Sequence, residues 1–256
     1  MEKARGYFTR LKQIGTTYND AGAYYVAYID YASGKYNNAL VEFNRLKDKP
    51  EYALQSSYYI TQIYFIQRKY EKTIAEGEVL LQNYPHSENN TEVHRILGNS
   101  YYHMGNPDKA IANLSKYVSD AEEPLRSDLY ILGVCYYNKA SYNSAVDCFG
   151  RIVREPDALT QNAYLYIGQS YLKLNDRNNA RMAFESAAKS SFDKQVKEAA
   201  MYNYALLIHQ TSFTGFGESV TIFENFLNEF PNSSYSDQVN DYLVEVYLTT
   251  KDYRSA

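Results

Sequence analysis

Apolar and aromatic residues recur along the chain at three- and four-residue intervals, the spacing of one helix face. Near the start, Tyr7, Phe8, Leu11 and Ile14 fall on such a face, and near the end so do Tyr242, Leu243, Val246 and Tyr247. The pattern predicts helices near residues 2–19, 21–33, 36–47, 52–67, 70–83, 90–104, 107–119, 124–139, 142–154, 158–174, 177–190, 194–211, 216–229 and 235–250. Prolines punctuate it. Pro50, Pro85, Pro124, Pro156 and Pro231 lie near breaks, where a fixed φ and a missing N–H stop one helix or start another, and Pro107 lies near a helix start.

The helices repeat in pairs. The segments ILGNSYYHMGNPDKAI from Ile96, ILGVCYYNKASYNSAV from Ile131 and YIGQSYLKLNDRNNAR from Tyr166 share a Gly, then an aromatic, then an Ala. Gly98, Gly133 and Gly168 are 35 residues apart, as are Tyr101, Tyr136 and Tyr171, and Ala110, Ala145 and Ala180. Weaker copies extend both ways, giving the anchor series Ala39, Thr73, Ala110, Ala145, Ala180, Ser219 and Ala256. This pattern resembles the tetratricopeptide repeat, a helix-turn-helix unit of about 34 residues. LGNSYYHMGNPDKAI is close to the family consensus, although no repeat has the family's early Trp, and Thr73 and Ser219 replace the small Ala.

The resemblance implies an all-α fold, a right-handed α-α superhelix of about six full helix hairpins with a partial unit at each end. The boundaries expected are a partial unit at 1–20, full units at 21–51, 52–88, 89–123, 124–157, 158–193 and 194–234, and a partial unit at 235–256. On this reading the chain is one solenoid cut from a longer protein. End-to-end self-association is expected of the truncated ends. Gly inside a helix costs about 1 kcal/mol relative to Ala, so its recurrence at one phase argues for close packing. Gly98 is expected against Ala110 and Gly133 against Ala145, close enough for helices but with room for a methyl.

Composition narrows the function. Lys and Arg total 26 against 30 Asp and Glu, a formal charge of −4, without the dense basic face a nucleic-acid partner needs. No apolar run approaches the ~20 residues that span a bilayer, and MEKARGYFTRLKQIG lacks a signal-peptide core. The unit ends LLQNYPHSENNTEVHRILG and FLNEFPNSSYSDQVNDYL each carry an aromatic-Pro-polar-Ser turn. They resemble repeat proteins of the Gram-negative cell envelope, of the outer-membrane assembly lipoprotein and Tol–Pal coordinator type. With the Tyr- and Asn-rich composition they suggest a Bacteroidetes-like source and a periplasmic or envelope location ahead of a cytoplasmic one.

Candidate chemistry is sparse. His94 and His103 are nine apart rather than the four that stacks two metal ligands on a helix face, and His86 and His209 stand alone. Cys135 and Cys148 read as small buried hydrophobes, with a disulfide as the alternative in an oxidising compartment. Gly215-Phe216-Gly217 lacks the Lys-Ser/Thr of a phosphate loop, and Phe216 reads as the turn aromatic supplied elsewhere by Tyr36, Tyr70 and Tyr142. No catalytic residue, metal or cofactor is expected.

In the family, the first helix of each unit lines the concave face, where a peptide or helix of another protein lies. The matching positions here are Tyr24, Tyr28, Tyr31, Tyr58, Gln62, Phe65, Arg95, Asn99, Tyr102, His103, Tyr130, Tyr137, Leu165, Gln169, Leu172, Tyr202, Leu206 and His209. This set is aromatic and nearly uncharged, a composition favoured where proteins meet. The carboxylate clamp of chaperone-binding members is not completed. Arg95 and Asn99 could begin it, but the following units offer Ile131, then Asn162 and Tyr166. The expected function is therefore a non-catalytic protein-binding scaffold in an envelope assembly. The alternative is a regulatory or helper segment of a larger protein with an enzymatic, anchoring or DNA-binding domain elsewhere.

Overall fold

The computed structural model describes residues 2–14, 18–211 and 216–249. Among these the regular structure is all helical. The helices are α1 (Glu2–Gln13), α2 (Asn19–Ala32), α3 (Tyr36–Leu46), α4 (Ala53–Ile66), α5 (Tyr70–Asn83), α6 (Asn90–His103), α7 (Pro107–Asp120), α8 (Arg126–Asn138), α9 (Tyr142–Gly150), α10 (Ala158–Lys173), α11 (Arg177–Lys189), α12 (Lys194–Thr211), α13 (Phe216–Glu229) and α14 (Ser236–Thr249). Two depart from the sequence pattern by more than two residues. The first helix ends at Gln13 rather than near 19, and residues 15–17 lie outside the described part. The helix expected over 142–154 stops at Gly150. Beyond it Pro156 has no N–H to continue the ladder from the Ile152 carbonyl, which accepts a 3.0 Å bond from Arg126 Nε.

The five hairpins whose turns are described all turn the same way. Gly34, Arg68, Gly105, Ala140 and Asn175 take positive φ of 73°, 56°, 71°, 58° and 60°. These positions step by 34, 37, 35 and 35, as the anchor residues Ala39, Thr73, Ala110, Ala145 and Ala180 do. The following N–H then reaches back over the helix end: Lys35 to Asp30 O, Lys69 to Tyr64 O, Asn106 to Tyr101 O, Ser141 to Tyr136 O and Asp176 to Tyr171 O, at 2.7 to 2.9 Å. This left-handed cap satisfies carbonyls that a helix end otherwise orphans. Gly34 and Gly105 adopt it freely, whereas a residue with a Cβ gives up roughly 1 kcal/mol there.

Within the hairpins a small residue of the first helix faces a large one of the second. The pairs are Ala27 with Phe43, Gly98 with Leu114, Gly133 with Phe149, Gly168 with Phe184 and Ala205 with Phe223, all buried. A Cβ at Gly98 would stand 2.5 Å from Leu114 Cγ, and one at Gly133 or Gly168 2.8 or 2.7 Å from the Phe149 or Phe184 ring. The close neighbour is thus one turn beyond the expected Ala110 and Ala145, and no room is left for a methyl. In the second hairpin both positions are small, Thr61 and Gly77, and Leu97 of α6 fills the space, 2.9 Å from a Cβ at Gly77.

The contacts cluster into two compact halves, residues 1–124 and 125–256. In each, every helix packs on the next in sequence. First helices also touch one another, α2 with α4 and α4 with α6 in the N-terminal half, and α8 with α10 and α10 with α12 in the C-terminal half. Second helices make no such pair among the described residues. The first helices therefore form the tighter row of each half.

Polar side chains pin the joints of the C-terminal half. Arg126 at the start of α8 forks onto Asp157 at 2.6 and 3.0 Å and also donates to Thr160 Oγ1 at 2.8 Å. Asp157 in turn caps α10, accepting from the Thr160 N–H at 2.8 Å. Gln161, fully buried, donates to the carbonyls of Ala187, Ser190 and Asp193 and accepts from the Asp193 N–H at 2.8 Å, which fixes the link from α11 to α12. The aromatic-Pro-polar-Ser turns also have a common geometry. Ser87 Oγ accepts from the Asn89 N–H and Ser233 Oγ from the Tyr235 N–H, at 3.2 and 3.1 Å. Asn90 and Ser236 send side-chain bonds back to the Tyr84 and Phe230 carbonyls.

Candidate interaction face

In the N-terminal half the row α2, α4 and α6 carries a linked set of rings and polar groups. Tyr31 Oη donates to Gln62 Oε1 at 2.6 Å, and Gln62 Nε2 donates to Tyr58 Oη at 2.6 Å. Tyr58 still has its own O–H to donate. Tyr28 is exposed, its ring 5.7 Å from Tyr59 and edge-on to it. Tyr59 is the hub, lying 5.0 Å from Tyr31, 5.5 Å from Tyr58 and stacked 5.1 Å from Phe43. Tyr24 is half-buried and packs edge-on to Phe43 and against Tyr52.

On α6, Glu92 and Arg95 form a two-pronged ion pair at 2.7 and 2.6 Å, and the guanidinium lies 5.6 Å over the Phe65 ring. Asn99 is only 6% exposed and donates to the Arg95 carbonyl of its own helix. Tyr102 is half-buried beside exposed His103, which stacks on Tyr70 at 4.5 Å.

Electrostatics keep these phenols neutral. Burial, with the Glu92 charge next, pushes Tyr58 up to about 12, and burial, with Tyr59 next, does the same for Tyr24. Tyr31 is raised too, mainly by burial. At physiological pH the face therefore offers O–H donors and ring surfaces, with its one prominent charge pair internally balanced. Such a surface can hold backbone carbonyls and apolar side chains.

The C-terminal half builds its own row from α8, α10 and α12. Tyr130 lies edge-on to Phe149 and Tyr166, and Tyr137 to Tyr142 and Tyr166. Leu165 and Leu172 are half-buried and pack on the cluster of Ala180, Phe184 and Leu207. Tyr202 is 8% exposed, stacks on Tyr235 at 4.2 Å and donates to Gln238 Oε1 at 2.7 Å. The set Tyr24, Tyr28, Tyr31, Tyr58, Phe65, Arg95 and Tyr102 thus shares one accessible row of the N-terminal half. Tyr130, Tyr137, Leu165 and Leu172 share another in the C-terminal half, and Asn99 and Tyr202 sit within the packing.

Sequence reasoning passed over Tyr59 and Tyr166, although a signal was present. Each stands two residues before the small crossing position, and each stacks on the Phe of the preceding second helix, Tyr59 on Phe43 and Tyr166 on Phe149. Tyr242 on Phe223 repeats the arrangement. A second surface was also missed. In the C-terminal half a groove of about 810 Å³ runs between α11 and α13 over α12, floored by Met201, Tyr204 and Ile222 and edged by the 2.7 Å Lys197–Glu229 ion pair.

Elsewhere little chemistry assembles. Cys135 and Cys148 are buried free thiols, each pushed up to about 11 by burial, so neither is a nucleophile at neutral pH. No group of three or more His, Cys, Asp or Glu suited to a metal occurs among the described residues, and no described helix is long and apolar enough to cross a membrane. Gly215 and residues 250–256, including Tyr253 and Ala256, lie outside the described residues. The side chain of Phe216 does too.

Comparison with known proteins agrees with this architecture. The family model of the tetratricopeptide repeat matches residues 96–121 and 162–191, which hold two of the three strongest sequence copies. No curated protein sequence matches the chain. Among solved structures, the C-terminal part of a TPR repeat-containing protein from Cytophaga hutchinsonii aligns over 91% of both chains, with a TM-score of 0.62 and 17% identity. YrrB, described as a TPR protein with an unusual peptide-binding site, aligns over 76% of this chain and 97% of its own, with a TM-score of 0.64 and 17% identity. MamA from AMB-1 aligns over 68% and 92%, with a TM-score of 0.58 and 18% identity. At these identities the likeness is one of fold.

Proposed function

Starting from a chain with the tetratricopeptide-repeat fold, we propose that it is a non-catalytic scaffold that holds a peptide or helix of another protein along the first-helix row. The observation that carries this reading is the pre-assembled face of the N-terminal half, where Tyr31, Gln62 and Tyr58 are already hydrogen-bonded and Tyr28 and Tyr102 stand accessible around them. A partner meeting such a face orders few side chains on binding, which limits the entropic cost of association. The description of YrrB as a peptide-binding TPR protein supports a peptide as the ligand. The turns at Tyr84–Ser87 and Phe230–Ser233 support an envelope setting through their likeness to envelope repeat proteins.

The test is a double substitution, Tyr28→Ala with Tyr102→Ala. A partner captured with this chain and identified by mass spectrometry is titrated calorimetrically against wild type and variant. Binding is expected to weaken by more than about 1 kcal/mol while the helical circular dichroism is unchanged. Equal affinity in the folded variant overturns the assignment and directs attention to the groove over α12.

A further inference from the structure

In the C-terminal half the groove between α11 and α13 is open where an equivalent gap in the N-terminal half is bridged. Between α5 and α7, Glu78 of α5 accepts from Tyr101 Oη of α6. Lys109 of α7 donates to Glu78 at 3.2 Å and to Tyr101 Oη at 3.0 Å. By register with the crossing pairs, Glu185 takes the place of Glu78, and Ile208 that of Tyr101. Glu185 is bound by Lys189 of its own helix at 2.6 Å, and Ile208 is buried with no polar group to offer.

The groove that results has a volume of about 810 Å³. Met201 and Tyr204 floor it from a face of α12 other than the one that carries Tyr202 and Leu206. Its charges close on themselves, Glu185 with Lys189 and Lys197 with Glu229. Asn225 and Asn228, both exposed, line the α13 wall about one turn apart. Elsewhere Asn44, Asn99, Asn113, Asn162 and Asn203 each turn the side-chain amide back onto the carbonyl four residues earlier. Asn225 and Asn228 make no such bond. Among the described residues both carboxamides line the groove with donor and acceptor uncommitted.

We propose that this groove takes a short, extended, uncharged segment of another protein. Its backbone lies on the two carboxamides and its apolar side chains on Met201, Tyr204 and Ile222. A carboxamide offers a C=O and an N–H, the complement of a peptide's own N–H and C=O. A helical segment has those groups already bonded along its axis, so only an extended one presents them. From Thr221 to Glu229 the groove follows about 12 Å of α13, the length of about four extended residues. Main-chain bonds hold such a segment, and alternate side chains reach the floor. Because each rim charge is already paired, a charged segment finds no counter-ion there. The site does not depend on the first-helix row and can be occupied whether or not that row is.

The test uses peptides selected on the 256-residue chain from a phage-displayed random library, then synthesised and titrated by fluorescence anisotropy. Those whose affinity is unchanged by Tyr28→Ala with Tyr102→Ala are carried forward, which separates this groove from the first-helix row. Their common core should be uncharged and apolar. Asn225→Ala with Asn228→Ala should weaken them by about tenfold or more. Both positions are exposed and alanine favours a helix, so the variant should keep its circular dichroism. N-methylation of the peptide should cost affinity at alternate residues and be tolerated between them, as for an extended strand. The proposal is overturned if no peptide independent of Tyr28 and Tyr102 is found. It is overturned equally by peptides indifferent to the asparagine pair, by a charged common core, or by N-methylation losses that do not alternate.

Discussion

At the scale of single residues the decisive feature is glycine facing a ring. The repeated Gly at 98, 133 and 168 was legible in the sequence as a sign of close helix crossing. Its partner was not, because a periodicity argument identifies the small residue and says nothing of which turn of the neighbouring helix meets it. Phe149 is fully buried and cannot swing aside to admit a Cβ 2.8 Å from its ring. Gly133→Ala should therefore destabilise by about 1–3 kcal/mol through overpacking, in spite of alanine's better helix propensity. Phe149→Leu in the same chain should recover part of that loss. Urea denaturation of the two single variants and the double variant measures it; a Gly133→Ala chain as stable as wild type would mean that the crossing is looser than described.

Among the elements, the caps and staples decide where helices stop. Ala140 holds φ of 58° in a cap where glycine sits at the equivalent Gly34 and Gly105. Ala140→Gly should raise stability by roughly 0.5–1 kcal/mol, since it relieves the left-handed strain at an exposed site. A lower melting temperature would show that the alanine methyl contributes more than the strain takes away. Sequence patterns did not mark these positions, because Arg68, Ala140 and Asn175 are held in this conformation by the packing of the two helices they join.

Just beyond α9, Arg126 reaches the Ile152 carbonyl from 26 residues away, a contact that spacing within one helix does not reveal. Arg126 also holds the Asp157 carboxylate well below the usual carboxylate range, with help from the Thr160 N–H. The pair's contribution is full above the ordinary carboxylate value and is lost as pH falls through the lower, folded-state value. The stability gap between wild type and Asp157→Asn should accordingly be steady near neutrality and narrow as pH drops below about 4. Thermal melts of both chains along that series check it, and a gap independent of pH would remove the charge from the explanation.

At the scale of the whole molecule, the repeated register foretold the succession of helices, with the ends of α1 and α9 as the exceptions, because small and large positions recur along the chain. The interaction face was legible only in outline. Family phase placed Tyr28, Tyr31, Tyr58 and Tyr102 in one row, but it could not tell an accessible phenol from one stacked into the core, as Tyr202 is on Tyr235. That distinction depends on the next helix, and sequence spacing within one helix does not contain it.

The unequal rows have a mechanical consequence. Among the described residues of each half, successive first helices touch, α12 and α14 excepted, and second helices do not. A load that bends the stack therefore meets a stiff side and a compliant one, as a strip hinged along one edge does. Bending should open and close the gaps between second helices while spacing along the first-helix row stays nearly constant. Each half would then behave as a spring with its neutral line along the tyrosine face, so a peptide lying there would be spared most of the strain when the scaffold flexes.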